Sequence, residues 1–352
     1  MTRILDCQVT EADIGERADV VLGRRIVGLS RRQARAIGLA GKLRIDGQRQ
    51  PPSARVALGQ SLTIELDDAE SDATLELEPL ALTDDFVYVF KPPGVHTVAL
   101  TPDQSGVLAT AVAARWPECA LASEDPREGG AIHRLDFPTS GVVAFARSRE
   151  VWQRARAGFA EGRISKHYLA VCHRGGEPWP PELPSGGLRG WIEPAQVAEP
   201  SAADPALARL LADRRVLAHS PVRIRAPLGR ADTTGRVAVR LDGRRASSVV
   251  QPLAESNDPG GLDHASESAG GEPAPTWLVR IGLESGLRHQ ARVHLAWIGL
   301  PIVGDIDYGG EGERTRPPQV IRLHAFVLDL SALFPTEQAM VALPEPDFWP
   351  QS

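Results

Sequence analysis

The chain has 352 residues, enough for about two domains, and its 42% hydrophobic and 24% charged content is that of a soluble globular protein. Its 39 Lys+Arg against 45 Asp+Glu give a formal net charge of −6, a total that argues against a nucleic-acid partner. No apolar run approaches the ~20 residues of a bilayer span, MTRILDCQVT has no secretory apolar core, and Cys7, Cys119 and Cys172 lack metal-ligand spacing; a cytoplasmic chain with reduced thiols and no membrane contact is expected.

Locally the charge is uneven. From Arg17 to Gln60 there are ten Arg/Lys and two acids, a net of +8; from Glu65 to Asp85 there are nine acids and no cation, a net of −9. The basic stretch reads as a first helix around Val20, Val21 and Leu22, then a second, SRRQARAIGLAG, capped by Ser30 and stopped by Gly41. A strand (KLRID), a turn at Asp46-Gly47 and a further strand (SLTIEL) complete a small α/β unit over residues 1–72. Residues 73–84 read as an acidic linker with one added strand. From residue 85 the pattern becomes apolar strands between Gly/Pro turns: FVYVF, SGVVAFA, HYLAV, VAVRL and WLVRIGL. The alternation of Trp277, Val279, Ile281 and Leu283 with Leu278, Arg280 and Gly282 predicts a strand with one buried face. RHQARVHLAWIGL predicts a helix with Ala291, Leu295 and Ile298 inward. Loop insertions are expected at 175–217 and 255–275, from their Pro-rich and disorder-like compositions. The fold class is α+β, with a mixed, largely antiparallel sheet over residues 85–352.

Three polar clusters interrupt this apolar pattern. In IHRLDFPTSGVVAFA, Asp136 precedes a Pro-Thr-Ser-Gly turn that enters a buried strand. Asp136, Thr139 and Ser140 either satisfy the turn backbone or present a carboxylate as nucleophile or base at the mouth of a sheet. In ESGLRHQARVH, a Gly turn opens a helix bearing Arg288, His289, Gln290, Arg292 and His294, either a solvated basic face or a binding one; the two histidines do not make the HExxH metal pattern. In GRISKHYLAVC, Tyr168 follows Lys166 and His167 on a strand, as a core tyrosine or a functional one. Phosphate-loop, dinucleotide and GxSxG motifs are absent.

Together HRLDFPTSG, KHYLAV, RHQARVHLAWIGLPIVGDIDYGG and RLHA, with FKPPGVHTV upstream, resemble the RluA-type pseudouridine synthases in order and spacing over roughly Asp84 to Leu343. The basic unit, through SRRQAR, GKLRIDG and GQSLTIEL, is similar to the S-four-type (alpha-L) RNA-binding domain. The resemblance implies isomerisation of a uridine in ribosomal or transfer RNA, with ribosomal RNA favoured, by a monomer using neither cofactor nor metal. It implies Asp136 as nucleophile at sugar or base, Arg292 as the cation that keeps it ionised, and Tyr168 against the uracil, handling the proton at carbon. Arg134 would fill the space the flipped base vacates, His133 and Thr139 would shape the loop, Leu323 would pack near the ring, and Arg288 and His289 would line the substrate site. Arg31, Arg32, Arg35, Lys42 and Arg44 would grip phosphates without reading sequence.

The chain departs from the family's TGRxHQIR at SGLRHQAR, where Leu287 replaces the first arginine and Arg288 follows it. That departure motivates a second reading, a noncatalytic RNA-binding or ribosome-assembly protein on a retained fold. A third, a glycosidase-like hydrolase pairing Asp136 with Asp305, ranks below both.

Overall fold

In the computed structural model the chain divides into two compact units, Met1–Glu76 with Ala99–Gly106, and Leu77–Val98 with Val107–Ser352. The structure describes residues 2–26, 34–35, 37–38, 41–67, 77–101, 104, 106–174, 191–196, 215–216, 219–231, 235–256, 276–310 and 320–344. In the first unit, strands β1 (Thr2–Gln8), β2 (Leu43–Ile45), β3 (Gln48–Arg49) and β4 (Ser61–Asp67) form an antiparallel sheet in the order β1-β4-β2-β3. Asp46 and Gly47 join β2 to β3 with φ of 50° and 78°, the positive angles that a two-residue hairpin of type I′ needs. Helix α1 (Ala18–Arg25) buries Val21 and Leu22 with Leu43, Leu62 and Ile64. Most of the predicted second helix, with Ser30, lies outside the described residues.

The basic charge of this unit is partly spent within it. Asp13, fully buried, receives Arg24 at 2.5 Å and Arg25 at 2.7 Å, and buried Asp19 receives Arg17 at 2.8 Å. Burial works against ionisation of Asp13, but bonds from the Thr10 backbone and the two arginines hold it well below the usual carboxylate range. A local net of +8 therefore overstates the cations left for an outside partner.

The second unit is built on one mixed sheet. Strands β5 (Pro79–Leu82), β6 (Phe86–Lys91), β7 (Ser140–Ala146), β8 (Ser165–His173), β9 (Ile192–Pro194), β11 (Val222–Ile224), β14 (Ser248–Ser256), β15 (Thr276–Leu283) and β16 (Leu323–Asp329) run in the order β5-β6-β7-β16-β8-β15-β14-β11-β9. Strand β10 (Arg215–Val216) pairs with β14, β17 (Met340–Val341) pairs with β16, and β12 (Leu228–Arg230) pairs with β13 (Val237–Val239) as a separate hairpin. Of the pairings described, only β7 with β16 is parallel. The fold is α+β with a mixed, mostly antiparallel sheet.

The one strand expected within the acidic linker is Pro79–Leu82, which forms an edge strand on β6. Two other expectations are corrected. The expected insertions contribute sheet: Ile192–Pro194 is a strand within the first and Arg215–Val216 one near its end, and β14 runs to Ser256, into the start of the second. The WLVRIGL strand is covered on both faces, since Leu278 and Ile281 point to opposite sides and are both buried. Composition read Ile192–Pro194 and Arg215–Val216 as coil because these strands are only three and two residues long and recruited by neighbours.

Helices α2 (Leu108–Arg115), α3 (Pro117–Ala122), α4 (Arg149–Ala160) and α5 (Gln290–Trp297) accompany the sheet. Ser148 caps α4 by accepting the Val151 N–H, and Trp152 on its inner face donates to the Ala131 carbonyl at 3.1 Å, tying the helix to the segment before Asp136. Every residue of α5 is buried, so its amphipathic expectation is overridden by cover on all sides. No helix among the described residues is long and apolar enough to cross a membrane.

Candidate active site

Asp136 sits on a loop whose neighbours are all held. The Thr139 N–H donates to the Asp136 carbonyl at 3.0 Å, closing a turn. The Thr97 hydroxyl brackets Leu135, donating to its carbonyl and accepting its N–H, both at 3.1 Å. On the other side Phe137 offers its carbonyl to the Gly94 N–H at 2.9 Å and to the Lys91 ammonium at 3.3 Å. Lys91 is fully buried and also donates to Pro92 and Val95 carbonyls at 3.0 and 2.8 Å. Burial pushes Lys91 down to about 7, against the opposing pull of Asp136.

After the turn, Gly141 has φ of 126°, and a side chain there would collide with the Ala325 backbone. This close approach lets β7 pair with β16. Beside it the Ser140 hydroxyl meets His324 Nδ1 at 2.9 Å, while His324 Nε2 donates to the Ala342 carbonyl at 2.9 Å. With loop and strand both anchored, the Asp136 side chain remains 26% exposed at the sheet mouth.

Arg292 stands behind this carboxylate. Its Nη1 is 3.8 Å from Asp136 Oδ2, but its tighter partner is Asp305, held through Nε and Nη2 at 2.7 Å each. Asp307 lies 3.3 Å from Nη2, and the Tyr308 ring lies 4.8 Å from the guanidinium carbon. Burial works against the charge on Arg292; hydrogen bonds and charge from Asp305, with Asp136 beyond, overcome it and raise its pKa. Asp305 is thus committed to orienting the arginine, which removes it as the second carboxylate of a hydrolase.

His289 completes the Asp136 surroundings, with Nε2 3.9 Å from Oδ1 and Nδ1 2.7 Å from the Tyr308 hydroxyl. Tyr308 in turn accepts the Val237 N–H at 3.1 Å. Burial, against the pull of Asp136, lowers His289 to about 4, so the ring is neutral at pH 7. Its backbone is left-handed, φ 56°, at the mouth of α5, a conformation costing about 1–3 kcal/mol in a residue with a side chain. Gln290 supports that turn by accepting from the Leu287 N–H at 3.1 Å and the Ser285 hydroxyl at 2.9 Å.

Tyr168, 9% exposed, lies on β8 opposite Ile281 of β15 and Ala325 of β16. Burial first, and then the Asp136 charge, raise its pKa, so its resting form is the neutral phenol. Asp136, Arg292, His289 and Tyr168 are therefore brought together. Arg134 is exposed beside them, and Arg288 is exposed with its Nε 3.3 Å from His289 Nε2. His133 accepts the Ala144 N–H at 3.3 Å, which suits a loop-shaping part; Thr139 acts through its backbone. Leu323 is buried on β16 opposite Ala170. In the other unit Arg35 is exposed, Lys42 and Arg44 are half-buried, and Arg31 and Arg32 lie outside the described residues.

Sequence reading passed over Lys91, Thr97 and Tyr308 as site residues. Lys91 had a signal, being one of three lysines and placed between an apolar strand and two prolines. Tyr308 lay within the quoted GDIDYGG, but nothing in that string tells that its hydroxyl reaches His289. Among the described residues no group of three or more His, Cys, Asp or Glu could hold a metal ion.

A sheet of this order, carrying the HRLD aspartate at its mouth against a buried arginine and a strand tyrosine, defines a pseudouridine synthase. Residues 85–297 match the RNA pseudouridylate synthase family, and the chain belongs to it, as a member of the RluA type. It is an isomerase that converts uridine to pseudouridine in RNA. The chain is 25% identical to the ribosomal large subunit pseudouridine synthase D of Vibrio parahaemolyticus, over 98% of its own length and 92% of the relative's. It is 28% identical to human RNA pseudouridylate synthase domain-containing protein 1, over 66% of this chain and 58% of that one. The solved structure of human RNA Pseudouridylate Synthase Domain Containing 1 aligns with a TM-score of 0.47 at 22% identity, covering 78% of this chain and 85% of that one.

Proposed function

We propose that the chain isomerises a uridine in structured large-subunit ribosomal RNA with Asp136 as its nucleophile. The observation that carries this reading is the fixing of every backbone neighbour of Asp136 while its carboxylate stays open and faces Arg292. In the reaction the bond from the sugar to the uracil nitrogen breaks, and a bond from the same sugar carbon to a ring carbon forms. The proton leaving that ring carbon balances the one gained at nitrogen, so atoms are conserved and no outside group is needed. Asp136 attacks the sugar or the base; the Arg292 guanidinium faces its carboxylate at 3.8 Å, and Asp305 aims Arg292. Tyr168 handles the proton at carbon as a hydroxyl rather than as a standing phenolate. Arg134, exposed at the loop, enters the space left by the base, offsetting an unstacking cost of a few kcal/mol.

The ribosomal substrate rests on the name of the Vibrio relative, and the basic N-terminal unit supports it as a phosphate-gripping RNA-binding domain of the S-four type. The test maps pseudouridine across cellular RNA in a deletion strain complemented with wild type or Asp136→Asn. At least one site in large-subunit ribosomal RNA is expected to need both the gene and Asp136. A map in which no site depends on the aspartate overturns the assignment, and a site in transfer RNA alone replaces the substrate.

A further inference from the structure

One short turn sets both of the groups that face Asp136. In the 3₁₀ turn Ile306–Tyr308, the Asp305 carbonyl accepts the Tyr308 and Gly310 N–H groups, at 3.1 and 2.8 Å. Position 310 has no room for a side chain, since a Cβ there would collide with the Ile302 carbonyl. The turn is thereby held closed, with Asp305 bonded to Arg292 and Tyr308 to His289. Tyr308 is fully buried, with its ring 4.8 Å from the Arg292 guanidinium carbon. Asp305 aims Arg292, whereas the Tyr308 hydroxyl takes no part in the steps above.

The hydrogen bonds around His289 fix where its proton sits. Burial keeps the ring neutral at pH 7, among the charges of Asp136, Arg292, Arg288 and Asp307. One ring nitrogen therefore carries a hydrogen and the other a lone pair. An arginine N–H can only donate. The Arg288 Nε–H meets His289 Nε2 at 3.3 Å, which makes Nε2 the acceptor and leaves the proton on Nδ1. Nδ1 then donates to the Tyr308 hydroxyl oxygen at 2.7 Å, and the same oxygen accepts the Val237 N–H at 3.1 Å. The ring is pinned at both ends, by an exposed arginine on one side and a buried tyrosine on the other.

The tautomer matters because Nε2 lies 3.9 Å from Asp136 Oδ1. With a proton on Nε2, the ring would need to close only about 1 Å to donate to that carboxylate. A hydrogen bond to a carboxylate is roughly twice as strong as a neutral one. Such a bond occupies a lone pair that attack requires and stabilises the resting state, which slows the reaction. Without a proton, Nε2 offers Asp136 nothing to accept, and the nucleophile stays open.

We propose that Tyr308 is a positioning residue for the reaction: its hydroxyl holds the His289 proton on Nδ1, so that the ring cannot capture the Asp136 carboxylate. The proposal rests on Asp136 as the nucleophile, as stated above.

The full chain is compared as wild type, Tyr308→Phe, Arg288→Met, His289→Gly and the double variant Tyr308→Phe/His289→Gly. Circular dichroism and melting confirm that each is folded. Tyr308→Phe keeps the ring beside Arg292 and removes only the hydroxyl, and glycine suits the left-handed backbone at position 289. Histidine-selective nitrogen NMR, with the His289 signal assigned by its loss in His289→Gly, is expected to show the proton on Nδ1 in wild type and on Nε2 in Tyr308→Phe. Pseudouridine formation in RNA from the deletion strain is followed in single turnover at saturating enzyme. Tyr308→Phe is expected to react about tenfold more slowly, the effect of one added hydrogen bond on the resting state, with its half-saturating concentration unchanged. The double variant is expected to react faster than Tyr308→Phe, because no ring remains to capture the carboxylate; a merely structural tyrosine makes it slower still. A wild-type ring with its proton on Nε2 overturns the proposal, as does a folded Tyr308→Phe at the wild-type rate or a double variant no faster than Tyr308→Phe. If Tyr308→Phe fails to fold, Arg288→Met decides: a proton kept on Nδ1 upholds the tyrosine as the lock, and one moved to Nε2 overturns it. Pseudouridine made by Asp136→Asn fails the nucleophile reading and removes this proposal with it; with activity dependent on Asp136, the other outcomes judge the proposal alone.

Discussion

Asp136 and Asp305 flank the same guanidinium, yet their parts differ because their surroundings differ. Asp305 is fully buried and locked to Arg292 by two short hydrogen bonds; Asp136 is partly open, with the Arg292 guanidinium at 3.8 Å and the neutral His289 ring at 3.9 Å. Removing Arg292 strands a buried carboxylate, so Arg292→Met is expected to cost about 3–5 kcal/mol in urea unfolding. Asp136→Asn removes only loose contacts and is expected to change stability by less than about 1 kcal/mol, while abolishing pseudouridine formation. Equal losses of stability in the two variants would contradict this division of labour.

At the scale of elements, two buried histidines do for the strands what Arg292 does for the site. His324 joins β16 to β7 through Ser140 and to the Ala342 carbonyl; His294 of α5 joins the Ser248 hydroxyl of β14, at 2.9 Å, to the Ala226 carbonyl, at 3.0 Å. Burial holds each at about 4, opposed by the bond to its carbonyl, against 6.5 for an ordinary histidine. The unfolded chain therefore binds more protons than the folded one between pH 6.5 and 4. The stability these rings contribute is complete above pH 6.5 and is lost as pH falls toward 4, by about 1.4 kcal/mol per pH unit per histidine. Urea midpoints measured down this range are expected to fall, and less steeply in His324→Gln; an identical slope would remove His324 from the account. Gly141→Ala, which forces a methyl into the Ala325 backbone, is expected to cost about 3 kcal/mol or more in the same assay.

These elements also show what a sequence discloses. FVYVF, SGVVAFA and HYLAV were legible as strands because they are apolar, β-branched or aromatic, and bounded by turns. Asp136, Tyr168 and Arg292 were legible because their motifs are contiguous. The parallel pairing of β7 with β16, the reach of Thr97 to Leu135, and the Tyr308–His289 bond were not, because each joins residues distant along the chain through geometry that no local pattern carries. The short strands β9 and β10 were hidden for a related reason, their conformation being set by partners rather than by propensity.

For the molecule as a whole, charge is divided between units and partly consumed inside one of them. Arg17, Arg24 and Arg25 serve buried aspartates, whereas Arg35 is exposed and Lys42 and Arg44 are half-buried in the same unit. Deleting residues up to Asp72 is expected to weaken RNA binding and make it less salt-dependent, with the slope reduced by about 0.7–0.9 for each phosphate no longer held. Unchanged affinity and slope would show that this unit does not grip RNA.

The Ser140–His324 bond spans 184 residues of chain. At about 5–20 residues per second of synthesis, β7 waits roughly 10–40 s for its parallel neighbour to leave the ribosome. During that interval the loop bearing the nucleophile has one strand edge unsupported, so a nascent enzyme is expected to remain inactive until its last long strand emerges. Ribosome-stalled chains ending before Leu323 are expected to be cut by protease within Ser140–Ala146, and chains extended past Asp329 and clear of the exit tunnel to resist. Resistance in the shorter chains would mean that the half-sheet closes on its own.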